Sequence, residues 1–309
     1  MNAVPEFDLE AYSQALTKLV EQAGQNVVAV QAAAYRVSSG VVFREDLVAM
    51  NSHALRREGK IPIDLPDGTQ TQGAILGRDP AVDVAILQVA GGKLRAAVPE
   101  EPSQLRAGAL AVVVGRTLDA GLSASAGILG AVGGPRRTWR GGSLTQFLRL
   151  DVNLYPSQAG AAVVGASGRL IGMATGAMSR HSALAIPFET LNRVADELLK
   201  SGHIRQGYLG VSLQPVPIPP HLRSKSPLAS ETGLMILGVE PDTGAEEAGL
   251  QLGDIVIAAG GQSIGDTESL QALLRGDAVS APIRLTLFHA GEVIEREVRV
   301  SDRGPGRRH

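Results

Sequence analysis

Apolar residues first recur three and four positions apart, at Leu9, Tyr12, Leu16, Leu19, Val20 and Ala23. That spacing predicts an amphipathic helix over residues 8–23, with Asp8 placed to cap its start and Gly24 to stop it. From Val27 the pattern changes to short runs bounded by Gly, Asp and Pro: Val27–Gln31, Leu47–Met50, Ile61–Leu65, Val84–Val89, Leu110–Val114, Phe147–Leu150, Ala161–Val164, Leu170–Met173 and Ala183–Ile186. Strands at such intervals, with no helix between them, predict an antiparallel barrel or sandwich rather than a βαβ fold. A second helix follows, with Leu191, Val194, Ala195, Leu198 and Leu199 on one face and Gly202 as its stop. A domain boundary is expected there.

Beyond the polar stretch 202–207, strand runs return at Tyr208–Leu213, Leu234–Val239, Ile255–Ala258, Ile283–Phe288 and Val293–Val300. A helical turn over Ala245–Ala248 and a helix carrying Leu270, Leu273 and Leu274 complete a small α+β unit. Pro215, Pro217, Pro219, Pro220 and Pro227 crowd a segment that cannot be a central strand, so a loop is expected after the unit's first strand. The fold class is mainly β, with domains at 1–205 and 206–302 and a flexible tail at 303–309.

Composition narrows the chemistry. Hydrophobic residues make up 44% of the 309 residues and charged residues 19%, which fits a folded chain with a real core. The formal charge of −2 supplies no basic field for nucleic acid, although Arg303, Arg307 and Arg308 make the tail locally basic. There is no cysteine, which excludes disulfides and thiolate catalysis. The six histidines lack metal-ligand spacing, so no metal and no cofactor is expected. No run reaches membrane-span length, and the acidic start (Glu6, Asp8, Glu10) is unlike a secretory leader. Either the protein stays where it is made or the chain begins after a removed leader.

Acyl transfer by a hydroxyl nucleophile needs an imidazole base, a carboxylate that holds the imidazole's tautomer, and backbone N–H groups for the oxyanion. His53 closes a strand in Met50-Asn51-Ser52-His53-Ala54-Leu55. Asp83 opens one in Asp79-Pro80-Ala81-Val82-Asp83-Val84-Ala85-Ile86-Leu87. Each alone carries little, because a lone histidine and a turn aspartate are commonplace. The segment Asp151-Val152-Asn153-Leu154-Tyr155-Pro156-Ser157-Gln158-Ala159-Gly160-Ala161-Ala162 gives them meaning. In this order, with Ala183-Leu184-Ala185-Ile186-Pro187 and Gly207-Tyr208-Leu209-Gly210-Val211, these segments resemble the HtrA (DegP/DegS-like) family of trypsin-fold serine proteases carrying a PDZ domain. The resemblance covers nearly the whole chain.

The resemblance implies a trypsin-like double β-barrel with a leading helix, followed by a small α+β PDZ domain. It assigns His53 as general base and Asp83 as the residue that orients it, and puts Ala159 at the nucleophile position. A methyl group cannot attack a carbonyl, so the implied serine endopeptidase is inactive as written. Ala159 has three readings: deliberate replacement of a serine; a natural pseudoprotease acting as a PDZ scaffold or holdase, to which Ser157 for glycine and Ala161-Ala162 for Gly-Pro also point; or Ser157 as a substitute nucleophile. The oxyanion donors fall at Ser157 and Ala159, in a turn that this family also adopts in a relaxed, inactive form. Ala183, Leu184 and Ala185 would offer an open strand edge to substrate. Tyr208, Leu209, Gly210 and Val211 would form the PDZ carboxylate loop, with Thr267–Leu274 as the helix beside its groove. Partners implied are unfolded segments or chain termini, and further copies of the chain, as a trimer by family, with Phe7 and Tyr12 as candidate joining residues. The family is usually periplasmic, although nothing in this chain directs export.

Overall fold

The computed structural model describes residues 8–34, 36–91, 94–119, 121–138, 140–179, 182–205, 207–274, 279 and 281–302. Two compact units emerge, one of residues up to 138 and 142–204, the other beginning at Arg205. In the first unit, Val27–Ala33, Arg36–Arg44, Leu47–Asn51, Lys60–Asp64, Gln70–Asp79 and Val84–Val89 close into one antiparallel barrel. Leu110–Thr117, Gly121–Gly133, Phe147–Asp151, Ala162–Val164, Leu170–Thr175 and Ala183–Pro187 close into a second.

The unbroken apolar runs follow from burial on both faces of the strands. Val28, Val30, Met50 and Leu87 fill the first barrel, and Val113, Leu148, Val163 and Ile171 fill the second. Their sequence neighbours Val27, Ala49, Ile86, Val112, Val114 and Val164 face the other way, into a core shared by the barrels and both helices. Period-2 geometry thus makes alternate residues serve different cores, each large side chain contributing about 1.5–3 kcal/mol on burial.

Helix Leu9–Gly24 is capped by Asp8, whose carboxylate accepts from the N–H groups of Glu10 and Ala11 at 2.9 and 3.0 Å. Gly24 is the helix's last residue but not a left-handed cap, a place Gln25 takes in right-handed form; a Cβ on Gly24 would come within 2.6 Å of Leu122, so close packing explains the glycine. The Arg116 guanidinium donates to the carbonyls of Gly24 and Val27 at 2.8 and 2.7 Å, tying the helix end to the second barrel. Partial burial lowers its pKa, yet guanidinium remains cationic. Arg116→Ala is expected to cost about 1–2 kcal/mol, read as a lower midpoint in urea unfolding; an unchanged midpoint would remove the anchoring role. Leu9 and Tyr12 on this helix are exposed, and Phe7 lies outside the described residues. Helix Phe188–Ser201 ends as expected on Gly202, left-handed at φ 73°.

In the second unit the main path of an antiparallel sheet runs Val211–Pro217, Thr232–Val239, Ile255–Ala259, Pro282–His289, Glu292–Arg299. The first of these corrects an expectation: Pro215 and Pro217 stand in the strand, paired with Leu234 and Thr232, rather than in a loop. The strand lies at the sheet edge, where a residue without an N–H leaves no inner ladder bond unmade. Pro219 and Pro220 start the short helix Pro220–Arg223. Leu234, Ile236, Val256, Leu285, Leu287 and Val298 form the core, and helix Thr267–Leu273 adds Leu270 to it. Among the described residues no helix is long and apolar enough to cross a membrane.

Candidate functional site

The first barrel brings His53 and Asp83 together because Leu47–Asn51 pairs with Val84–Val89, Asn51 opposite Val84. The turn that follows Asn51 therefore carries His53 directly beside Asp83, the residue before the other strand begins. The Asp83 carboxylate lies 2.9 and 3.0 Å from His53 Nδ1 and also accepts the His53 backbone N–H at 3.0 Å. Asp83 is held at φ 57°, an unfavourable region for a residue with a Cβ, and its side chain is only 2% exposed. Thr175 donates its hydroxyl to the second carboxylate oxygen at 2.7 Å. The carboxylate is thus satisfied on both oxygens, which keeps a buried charge tolerable and aims it at one imidazole nitrogen. Asp79 ends its strand and braces the turn that follows, accepting from the Ala81 N–H at 3.0 Å.

Thr175 was not legible from sequence. A threonine ending a strand has no motif, and only the pairing of Leu170–Thr175 within the second barrel brings it to Asp83. The residues after it, Gly176 and Ala177, line the same cleft as His53, Ser157 and Ala159, a cavity of about 630 Å³ with Tyr155 and Arg56 on its walls.

Ala159 sits at the end of a single 3₁₀ turn, Pro156–Gln158. Its N–H is engaged by the Pro156 carbonyl at 3.3 Å, and the Gln158 N–H by Tyr155 at 2.9 Å. The Ser157 carbonyl accepts the hydroxyl of buried Ser39 at 2.9 Å, and that hydroxyl accepts the Arg116 N–H at 3.0 Å. Gln158 is fully buried and its amide bonds Ser123 and Ser125 at 3.1 Å each. Side-chain and main-chain bonds together hold the turn wound, with the Ala159 donor spent inside it. Gly160 follows at φ 82°, where a Cβ would lie 2.3 Å from the Ser39 carbonyl oxygen. Ser157 lines the cleft but makes no hydrogen bond to His53 among the described residues.

One expectation fails. Ala183, Leu184 and Ala185 offer no open edge: Leu150, Arg149 and Leu148 pair with them on one side, and Ala185 and Leu184 pair with Ala174 and Thr175 on the other. A closed barrel has no free ladder at an inner strand. The chain next to the cleft is instead Gly176–Ala177, just past the end of Leu170–Thr175.

In the second unit, Gly207–Tyr208 leads through Leu209 and Gly210 into the edge strand Val211–Pro217. The carbonyls of Leu209 and Gly210 accept from Ala245 and Glu240 at 3.0 and 2.8 Å, while neither residue's N–H has a backbone acceptor among the described residues. Gly210 takes φ 87°, and a Cβ there would meet Thr243 at 2.3 Å. The loop thus spends its two carbonyls on the backbone of Ala245 and Glu240 and leaves its two N–H groups over.

A double barrel holding a His–Asp pair, with a small sheet module behind it in sequence, defines a trypsin-like peptidase domain joined to a PDZ domain. Family models describe residues 38–173 as a trypsin-like peptidase domain and residues 235–287 as a PDZ domain. In fold and domain order the chain is similar to HtrA-type proteases. It is 28% identical over 271 residues to the probable periplasmic serine endoprotease DegP-like of Brucella suis biovar 1 (strain 1330), covering 85% of this chain and 52% of the relative. It is 27% identical over 270 residues to the periplasmic pH-dependent serine endoprotease DegQ of Escherichia coli (strain K12), covering 85% and 58%. The chain therefore spans little more than half the length of these relatives. Among solved structures, the HtrA-type protease AlgW with a decapeptide superposes with a TM-score of 0.71 at 21% identity, covering 94% of this chain and 99% of that one. The serine endoprotease from Yersinia pestis gives 0.70 at 20%, covering 93% and 97%.

Proposed function

We propose that this chain is an HtrA-type scaffold that captures extended polypeptide and does not cleave it. One observation carries the reading: in the cleft that His53 also lines, residue 159 presents a methyl group, and its N–H is engaged by the Pro156 carbonyl. Both the nucleophile and an oxyanion donor are absent from the chemistry, although the base and its carboxylate remain paired. Ser157 in place of glycine, and Ala161-Ala162 in place of Gly-Pro, extend the departure beyond a single site. Capture then falls to the cleft and to the groove between the edge strand Val211–Pro217 and helix Thr267–Leu273. In that groove the Leu209 and Gly210 N–H groups would hold a terminal carboxylate while the ligand adds as a strand.

The test has two readouts on the same protein. Unfolded casein is expected to yield no fragments, and a fluorescent peptide with a free C-terminus is expected to bind about tenfold more tightly than its C-terminal amide. Fragments from the chain as written, or equal binding of acid and amide, would overturn the corresponding half. A second reading rests on the intact His53–Asp83–Thr175 arrangement: a competent peptidase from which a serine has been replaced at residue 159. Restoring that serine separates the two.

A further inference from the structure

The cleft carries a charge pattern that the loss of peptidase chemistry does not explain. Its lining includes Arg36 and Arg56 and no carboxylate, together with Leu154, Tyr155, Pro156 and Ser157. Asp83 lies behind His53 and is buried, so its charge is directed at the imidazole rather than into the cleft. Glu58 is the nearest acidic residue in sequence, but it is not part of the lining.

The two arginines are held on one rim by the backbone. Arg36 begins its strand opposite Ala33. The N–H groups of Arg56 and Arg57 donate to the Ala32 carbonyl at 2.8 and 3.1 Å, which fastens the loop after His53 to the same hairpin. Arg78 stiffens that loop from the other side, donating to the carbonyls of Leu55 and Arg57 at 2.7 and 3.0 Å. One guanidinium is spent on shaping the rim. Those of Arg36 and Arg56 have no ion pair or hydrogen bond among the described residues, and both residues are exposed. A protein that only stabilises its own rim needs carbonyl contacts like those of Arg78. Two unspent guanidinium groups beside an apolar and aromatic wall fit a ligand with carboxylates on a partly apolar chain.

We propose that the cleft selects extended polypeptide segments bearing aspartate or glutamate, with Arg36 and Arg56 as the selecting residues. The proposal rests on the capture reading given above and adds the ligand class. Exposed ion pairs are individually modest, so the preference is one of several-fold rather than all-or-none.

The experiment uses the full chain and short acetylated, C-terminally amidated peptides, which have no carboxylate for the PDZ loop to hold. A glutamate-containing peptide and its glutamine twin are titrated by fluorescence anisotropy. The glutamate peptide is expected to bind about fivefold more tightly at low salt, and the ratio to fall towards unity at about 0.5 M salt. The double variant Arg36→Gln, Arg56→Gln should bring the ratio to one while the thermal unfolding midpoint stays unchanged, which shows that the fold is intact. A ratio of one in the unaltered protein, a ratio that survives the double substitution, or tighter binding of a single-stranded oligonucleotide would overturn the charge assignment. Absence of binding by either peptide would remove capture in the cleft altogether, and is distinguishable because both peptides then fail.

Discussion

Restoring a serine at residue 159 alone is expected to cleave casein only slowly, whereas the double variant Ser157→Gly, Ala159→Ser should cleave it at least about a hundredfold faster. The imidazole proposed as base is already oriented: His53 Nδ1 is held at 2.9 Å by a carboxylate that Thr175 also fixes. Supplying the hydroxyl recovers a term worth about a millionfold in a comparable serine protease. It does not recover the oxyanion donor, because the residue 159 N–H closes the 3₁₀ turn on Pro156, and one such donor is worth about 10²–10³ in rate. Glycine at 157 admits backbone angles closed to serine and allows that turn to unwind. Release of fluorescein from labelled casein measures both variants. Equal, high activity in the single and double variants would show that the turn is no obstacle, and residue 159 would then be a knock-out of a competent peptidase. Silence from both would mean that Ser39 and Gln158, not Ser157, keep the turn wound.

Gly160→Ala is expected to be the most damaging small substitution near the site. A side chain there meets two costs at once, a backbone at φ 82° and a Cβ 2.3 Å from the Ser39 carbonyl oxygen. Left-handed backbone costs about 1–2 kcal/mol for a residue with a Cβ, and overpacking a core about 1–3 kcal/mol. A total near 3 kcal/mol lowers the calorimetric midpoint by about 10 °C in a domain of this size. Gly59→Ala is the control: φ is 74°, but nothing lies within 4 Å, so only the backbone cost applies. Equal losses in the two variants would remove the steric part of the account.

Much of the architecture could be read from the chain because both sheet faces are buried. Val84–Val89 and Leu110–Val114 are recognisable as strands from unbroken β-branched and aliphatic runs. Gly121–Gly133 is not, although it is the longest described strand. Glycine, serine and alanine dominate it, and its conformation is imposed by ladders on both sides and by close approach, since a Cβ on Gly127 would lie 2.0 Å from the Asp151 carbonyl oxygen. Likewise, His53, Asp83 and the turn at Ala159 occur in recognisable segments, but Thr175 has no local signature and enters through tertiary pairing alone. The mistaken open edge at Ala183–Ala185 has the same origin: strand character is a local property, whereas a free ladder depends on how a barrel closes.

The prolines of the edge strand limit how far any guest chain can be followed. Pro215 and Pro217 have no amide hydrogen, so the row of donors that a visiting strand could climb thins beyond Gln214. For the proposed peptide ligand, only the few residues nearest its end would find regular footing, and affinity should stop growing once a peptide extends past them. The same missing hydrogens make this rim a poor template for an identical rim on another molecule, which lets the groove stay open without inviting fibrils.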